Sequence, residues 1–411
     1  MFKKLRATFN EYPRIFWVLV GSAFIDRVGG TMIQPFFALY ITEKFDVGMT
    51  QAGILLGIFS VCGLIGSMIG GAITDKFGRK GIVLFGMVFS ALSSVSMGLV
   101  NELSLFYLLA VVVGLLSNVA GPAYQAMVAD MLPEEQHAEG FGVLRVAGNM
   151  AWIIGPTIGG LVASRSYLAV FVLDAVTSLI TAAIILRVIP ETKPEATEEQ
   201  KSEKLVQTFA GYRKVLQDRP YIAYILTSMI MLVVYLQMYN TLSVYLRDVH
   251  GVPPQGYGLL LSLDAAMVVL LQFWVTRRVS KRPPLLMLAF GTVFYMIGFS
   301  MYAFVGTYAL FIVAILIITV GEMIVVPVGQ AMAAKFAPED MRGRYLAFYG
   351  LAWALPSAVG PAAAGFVLDN YQPELVWILA GVLSLVAILG YLALHVRLRD
   401  RFSLQSTSSD I

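Results

Sequence analysis

Twelve stretches of the chain are apolar from end to end, at about 15–41, 50–73, 81–100, 103–129, 140–163, 167–189, 220–246, 256–276, 284–304, 307–333, 344–368 and 374–396. Each reaches the roughly 20 residues a helix needs to cross a bilayer core. Polar positions gather in the connections between them, which are short except for the segment from Pro190 to Arg219. The pattern predicts an all-α integral membrane protein with twelve transmembrane helices and no loop large enough for a separate catalytic domain.

Composition agrees. Of 411 residues, 58% are hydrophobic and 13% charged, against about 25% charged in soluble domains. That excludes a water-soluble enzyme. A net charge of +3 gives no reason to expect a nucleic-acid partner. The single cysteine, Cys62, excludes an intramolecular disulfide and a cysteine-based metal site. The three histidines, His137, His250 and His395, stand near span ends and far apart, so no metal or nucleophile cluster suggests a membrane-embedded enzyme. No G-x-x-x-x-G-K-S/T loop is present to bind a nucleotide. Phe16–Val20 runs straight into a full-length span, so no cleavable signal is expected.

Basic residues set the expected orientation. With the N-terminus in the cytoplasm, most of the 29 Lys and Arg fall on the cytoplasmic side, including Lys3, Lys4, Arg6, Lys76, Arg79, Lys80, Arg277, Arg278 and Arg397. The outer loops then hold Lys44, Arg165 and Arg247, while Arg27 and Arg145 lie inside spans. This predicts N-in/C-in topology, with the acidic Asp130–Glu139 loop as the one dissenting connection. Within the long middle segment, Leu205, Phe209, Tyr212, Val215 and Leu216 recur at helical spacing beside Lys204, Arg213 and Lys214. A helix lying on the membrane surface is expected there, with a disordered linker as the alternative.

The second half repeats the first. A shift of half the chain length lays Pro122-Ala-Tyr-Gln-Ala-Met on Pro327-Val-Gly-Gln-Ala-Met without a gap. The register holds to Gly155-Pro156-Thr-Ile-Gly-Gly160 over Gly360-Pro361-Ala-Ala-Ala-Gly365. Six spans per repeat keep both halves in the same orientation, which implies two pseudo-symmetric six-helix bundles that rock to expose a midplane site. The expected division is 1–189 for the first bundle, 190–219 for the cytoplasmic linker, and 220–411 for the second bundle with its tail.

After the second span stands Gly71-Ala-Ile-Thr-Asp75-Lys-Phe-Gly78-Arg79-Lys80. Gly78 permits a tight turn, Asp75 can face a helix N-terminus, and Arg79 can hold a carboxylate bidentately. The segment closely resembles the signature loop of the major facilitator superfamily, and the resemblance covers nearly the whole chain. It implies the major facilitator fold, and a conformational latch of Asp75, Gly78 and Arg79 with Asp130 at the end of the fourth span. The second half carries Ser280 where the first has Asp75, so the latch is expected to be asymmetric. Gly155, Pro156, Gly159 and Gly160 in the fifth span resemble the helix-packing motif of drug/proton antiporters, with Gly360 and Pro361 as its copy. A plain packing seam is the alternative, since glycines let helices approach closely. Many proton-coupled exporters carry an arginine in the fourth span, and this chain has none before Gly114.

Charges at membrane depth are costly and mark candidate functional positions. Asp26, halfway along the first span, is a candidate proton site with Arg27 and Arg145 as candidate coupling groups beside it, or else is held in a permanent ion pair with one of these arginines. Glu322 in the tenth span is the second candidate for proton coupling, or else a structural hydrogen-bonding group. Asp174 and Asp264 are expected to be hydrated or helix-capping. In the superfamily the first, fourth, seventh and tenth spans line the cavity. Gln34, Asn118, Gln125, Asn149, Trp152, Tyr235, Gln237, Tyr239, Asn240 and Trp353 are the candidate lining. The expectation is a monomeric, proton-gradient-driven exporter of small amphipathic or hydrophobic compounds of the multidrug efflux group in the cell membrane. It is expected to meet membrane lipids and to need no cofactor. A lipid or lysolipid transporter, or a proton symporter for a sugar or peptide, is the alternative.

Overall fold

The computed structural model describes residues 12–133, 136–192, 214–338 and 341–407, in backbone alone at 71–77, 138, 342, 343 and 399–407. Among these residues, twelve helices are long and apolar enough to cross a membrane. They are Arg14–Phe45, Met49–Gly70, Arg79–Leu99, Leu103–Asp130, Glu139–Ala163, Tyr167–Val188, Arg219–His250, Pro254–Val279, Pro284–Met301, Tyr308–Phe336, Arg344–Asn370 and Leu375–Leu398. They are numbered as spans one to twelve below. Large apolar side chains such as Met68 and Leu270 stand almost fully exposed along them, as lipid-facing positions do and soluble surfaces rarely do. The surface helix predicted over 203–218 lies mostly outside the described residues.

Three spans are broken. The first leaves regular helix at the single 3-10 turn Gln34–Phe36, where Pro35 withholds a backbone donor. The fourth ends one helix at Ser117 and starts the next at Ala120. The seventh stops at Leu236 and resumes at Thr241. At that last break Gln237 Nε2 donates to Val233 O at 2.7 Å, Asn240 Nδ2 donates to Leu236 O at 2.9 Å, and Thr241 Oγ1 donates to Gln237 Oε1 at 2.7 Å. The side chains at the break thus satisfy carbonyls near the helix end and one another, as a broken helix in lipid requires.

The described residues form two compact units, Met1–Thr197 with Leu246–Ala265, and Glu198–Tyr245 with Ala266–Ile411. The end of span seven and the first half of span eight group with the N-terminal helices.

The helix pairings recur between the halves. Span one packs on five and six, and span seven on eleven and twelve; three packs on four and six, and nine on ten and twelve. Individual hydrogen bonds recur as well. Tyr40 donates to Met97 O and Tyr245 to Tyr302 O, each across 57 residues. Tyr124 donates to Leu19 O, and at the equivalent positions Tyr224 donates to Gly329 O with the roles reversed, each across 105 residues. In the first unit one core gathers Phe16, Leu19, Val83, Ala123, Met127 and Ile185. In the second, Tyr221, Tyr224, Phe336 and Tyr345 pack ring against ring.

Candidate functional site

Gly78 ends the signature turn at φ 93°, a backbone conformation that favours glycine, and span three starts immediately after it. Arg79 Nε lies 2.9 Å from Asp130 Oδ2, joining the start of span three to the end of span four. The side chain of Asp75 lies outside the described residues. Two groups overlooked in the sequence complete the cluster. Glu191 Oε1 accepts from the Arg79 backbone N–H at 2.9 Å, and Glu191 Oε2 from that of Lys80 at 3.2 Å. Thr192 Oγ1 donates to Asp130 Oδ2 at 3.2 Å. A carboxylate at the exposed N–H groups of a helix start is electrostatically favoured, so the first residues of the middle segment are tied to this turn.

The glycines of span five mark close approach. A methyl at Gly155 would strike Thr31 Oγ1, and one at Gly159 the backbone of Met32. A methyl at Gly160 would lie 2.8 Å from Pro254 O. At Gly258 a methyl would strike the Pro156 carbonyl, and Thr157 and Ser262 hydroxyls meet at 2.6 Å. Spans one, five and the start of eight thus form one seam inside the first unit. Gly360, in the second, stands where a methyl would come 3.1 Å from Gln237 Nε2, and Pro361 is buried.

Asp26 is half-buried and accepts from Ser178 Oγ at 2.9 Å. Among the described residues it forms no ion pair; Arg27 and Arg145 both present exposed side chains. Asp174 departs from expectation. It sits two turns inside span six, is only 7% exposed, and accepts from Ser94 Oγ at 2.5 Å. It is buried against spans one and three rather than placed at a helix end. Asp264 is buried as well.

In the second unit three of the aromatic candidates come together. The Tyr235 ring lies 6.0 Å from Trp353 at 90° and 5.6 Å from Tyr239, whose hydroxyl is 3.1 Å from its own. Next to them a cavity of about 280 Å³ is lined by Val326, Gln330, Leu346, Tyr349, Gly350 and Trp353. Gln330 and Tyr349 were not singled out in the sequence. Glu322, half-buried, precedes Val326 and Gln330 at successive four-residue steps, so the three share a face of span ten. Gln237 is buried and, with Asn240, serves the helix break described above. In the first unit Gln34, Asn118, Gln125 and Asn149 are exposed and Trp152 is half-buried.

The chain is similar in sequence and fold to known transporters. The family model of the Major Facilitator Superfamily matches residues 19–361 and 321–409. The chain is 26% identical over 374 residues to the Na(+), Li(+), K(+)/H(+) antiporter of Planococcus maritimus, covering 84% of this chain and 87% of that protein. It is 24% identical over 376 residues to the multidrug resistance protein MdtH of Salmonella paratyphi C, covering 90% and 87%. Its fold matches the crystal structure of the nucleoside transporter NupG with a TM-score of 0.80 at 13% identity, over 93% of this chain and all of that one. With two spanning repeats and a family match running nearly end to end, the chain belongs to the major facilitator superfamily of membrane transporters.

Proposed function

We propose that this chain exports small amphipathic or hydrophobic compounds by alternating access, driven by proton antiport. In this reading it is a monomer in the cell membrane, N-in/C-in, with the proton gradient as its only energy source. The observation that carries the proposal is Asp26. A carboxylate stands at mid-span, held by a serine hydroxyl and without an ion-pair partner among the described residues. An unpaired charge at membrane depth is expensive. A carboxyl group that takes up a proton when cargo leaves, and gives it up when cargo binds, removes that cost in each state. Glu322, one turn from the cavity wall at Val326, is the second coupling candidate. The Tyr235–Tyr239–Trp353 cluster supplies flat apolar faces with hydroxyls at their edges, which suits ligands of mixed character.

The names of relatives support both parts of the reading, since one is an antiporter that exchanges cations for protons and another a multidrug resistance protein. The first also favours a second reading, exchange of monovalent cations for protons. Purified protein in liposomes with an imposed pH gradient separates the two. The first reading expects gradient-driven accumulation of ethidium that sodium does not inhibit. Sodium flux without ethidium transport would replace it with the second, and no flux of either would overturn proton antiport.

A further inference from the structure

Coupling through Asp26 leaves two buried acids of the first unit unused, Asp174 and Asp264, and Asp174 lies on the helix that packs against Asp26. Spans one and six run antiparallel and meet in three rungs. Thr181 Oγ1 donates to Ser22 O at 3.1 Å, Ser178 Oγ donates to Asp26 Oδ1 at 2.9 Å, and a methyl on Gly29 would come 2.8 Å from Asp174 Oδ1. Rungs spaced three and four residues apart lie on one face of each helix. Asp174 therefore stands one turn from Asp26 across the same interface. Span three contributes Ser94, whose Oγ donates to Asp174 Oδ2 at 2.5 Å.

The internal repeat separates packing from chemistry. Spans seven, nine and twelve build the same arrangement in the second unit, in the register fixed by the paired tyrosine bonds. There Met231 replaces Asp26, Phe299 replaces Ser94, and the twelfth span contains no Asp or Glu. The fold forms this crossing without acids, so the two carboxylates in the first unit are not needed to hold it.

We propose that Asp174 is the second carboxylate of the coupling unit and holds one exchangeable proton jointly with Asp26. The inference rests on the proton-coupled reading above. Two carboxyl groups this close in a water-poor interface titrate as a pair, because ionising one disfavours ionising the other. Loading the pair forms one carboxyl O–H bond at the expense of a hydronium ion. Release returns the proton to water and leaves one more negative charge on the pair. The other titratable and charged groups nearby are few. Arg27 adjoins Asp26, and Tyr124 of span four donates to Leu19 O. Span five carries Glu139, which accepts from Tyr12, and Arg145. At the far end of span three, Arg79 pairs with Asp130 and Lys80 Nζ donates to Leu186 O; Arg187 ends span six.

The test is pH-difference infrared spectroscopy of the full-length protein in liposomes without any transport substrate, following the carboxylic-acid band. The wild type, Asp26→Asn, Asp174→Asn and Ser94→Ala proteins are compared. The pair predicts that removing either acid displaces the titration midpoint of the other by about one pH unit or more. Ser94→Ala keeps both carboxyl groups and displaces the midpoint by less; it decides the matter if Asp174→Asn fails to fold. Unshifted midpoints overturn the pair while leaving coupling through Asp26 alone intact. Loss of gradient-driven transport in the wild type would overturn the coupling reading without touching the infrared result.

Discussion

Glu191 caps the helix that Gly78 begins: its carboxylate accepts from the Arg79 backbone N–H at 2.9 Å, and a side chain at Gly78 would lie 2.7 Å from Glu191 Oε2. Gly78 is therefore required twice, by its φ of 93° and by the space Glu191 occupies. Gly78→Ala is expected to cost about 1–3 kcal/mol through backbone strain alone, read as a lower melting temperature of the purified protein. Adding Glu191→Ala to Gly78→Ala relieves the collision but not the strain, so only part of the loss should return. A Gly78→Ala protein with wild-type melting would show that the turn relaxes freely.

The seam of span five predicts a graded response along one helix. Gly159→Ala places a methyl against the Met32 backbone, which cannot move as a side chain can, whereas a methyl at Gly148 meets nothing within 4 Å. Overpacking of this kind costs about 1–3 kcal/mol. Gly159→Ala should lower the melting temperature by several degrees and Gly148→Ala should leave it unchanged or slightly raised. Equal effects at the two positions would contradict the seam.

How much of this was legible in the chain depends on distance along it. The twelve spans were legible because each signals itself through a local run of apolar residues, and their observed ends fall within a few residues of expectation. The repeat was legible because its matches need no gap. The breaks in spans one, four and seven were not, because an interrupted helix keeps an apolar composition. Gln237 and Asn240 were read from the sequence as cavity lining, and the part their amides play in satisfying the backbone at a break was not visible there. Asp174 was placed by its distance from a span end, but its environment comes from Ser94, 80 residues away. Glu191 looked like ordinary linker charge, and only the folded chain brings it to Arg79. The local pattern thus carried the architecture, while the partners of single buried or capping acids depended on contacts between distant segments.

The aromatic wall of the second unit makes a prediction about ligand affinity. Tyr235→Phe keeps the ring packing against Trp353 and removes the hydroxyl contact with Tyr239. Trp353→Ala removes both the ring pair and part of the cavity lining. An aromatic pair is worth about 0.5–1.5 kcal/mol beyond its buried area, and about 1.4 kcal/mol is a tenfold change in affinity. Tetraphenylphosphonium binding measured by calorimetry should therefore weaken about tenfold in Trp353→Ala and much less in Tyr235→Phe. Unchanged binding in Trp353→Ala would remove this wall from the ligand site.

Proton coupling through the membrane acids is tested most directly by ethidium transport in liposomes under an imposed pH gradient, with wild type compared to Asp26→Asn and Glu322→Gln. The account predicts that Asp26→Asn still binds ethidium and equilibrates it across the membrane, but no longer accumulates it in response to the gradient. Glu322→Gln is expected to weaken that response. Full gradient-driven accumulation in both variants would contradict the assignment of coupling to these two residues.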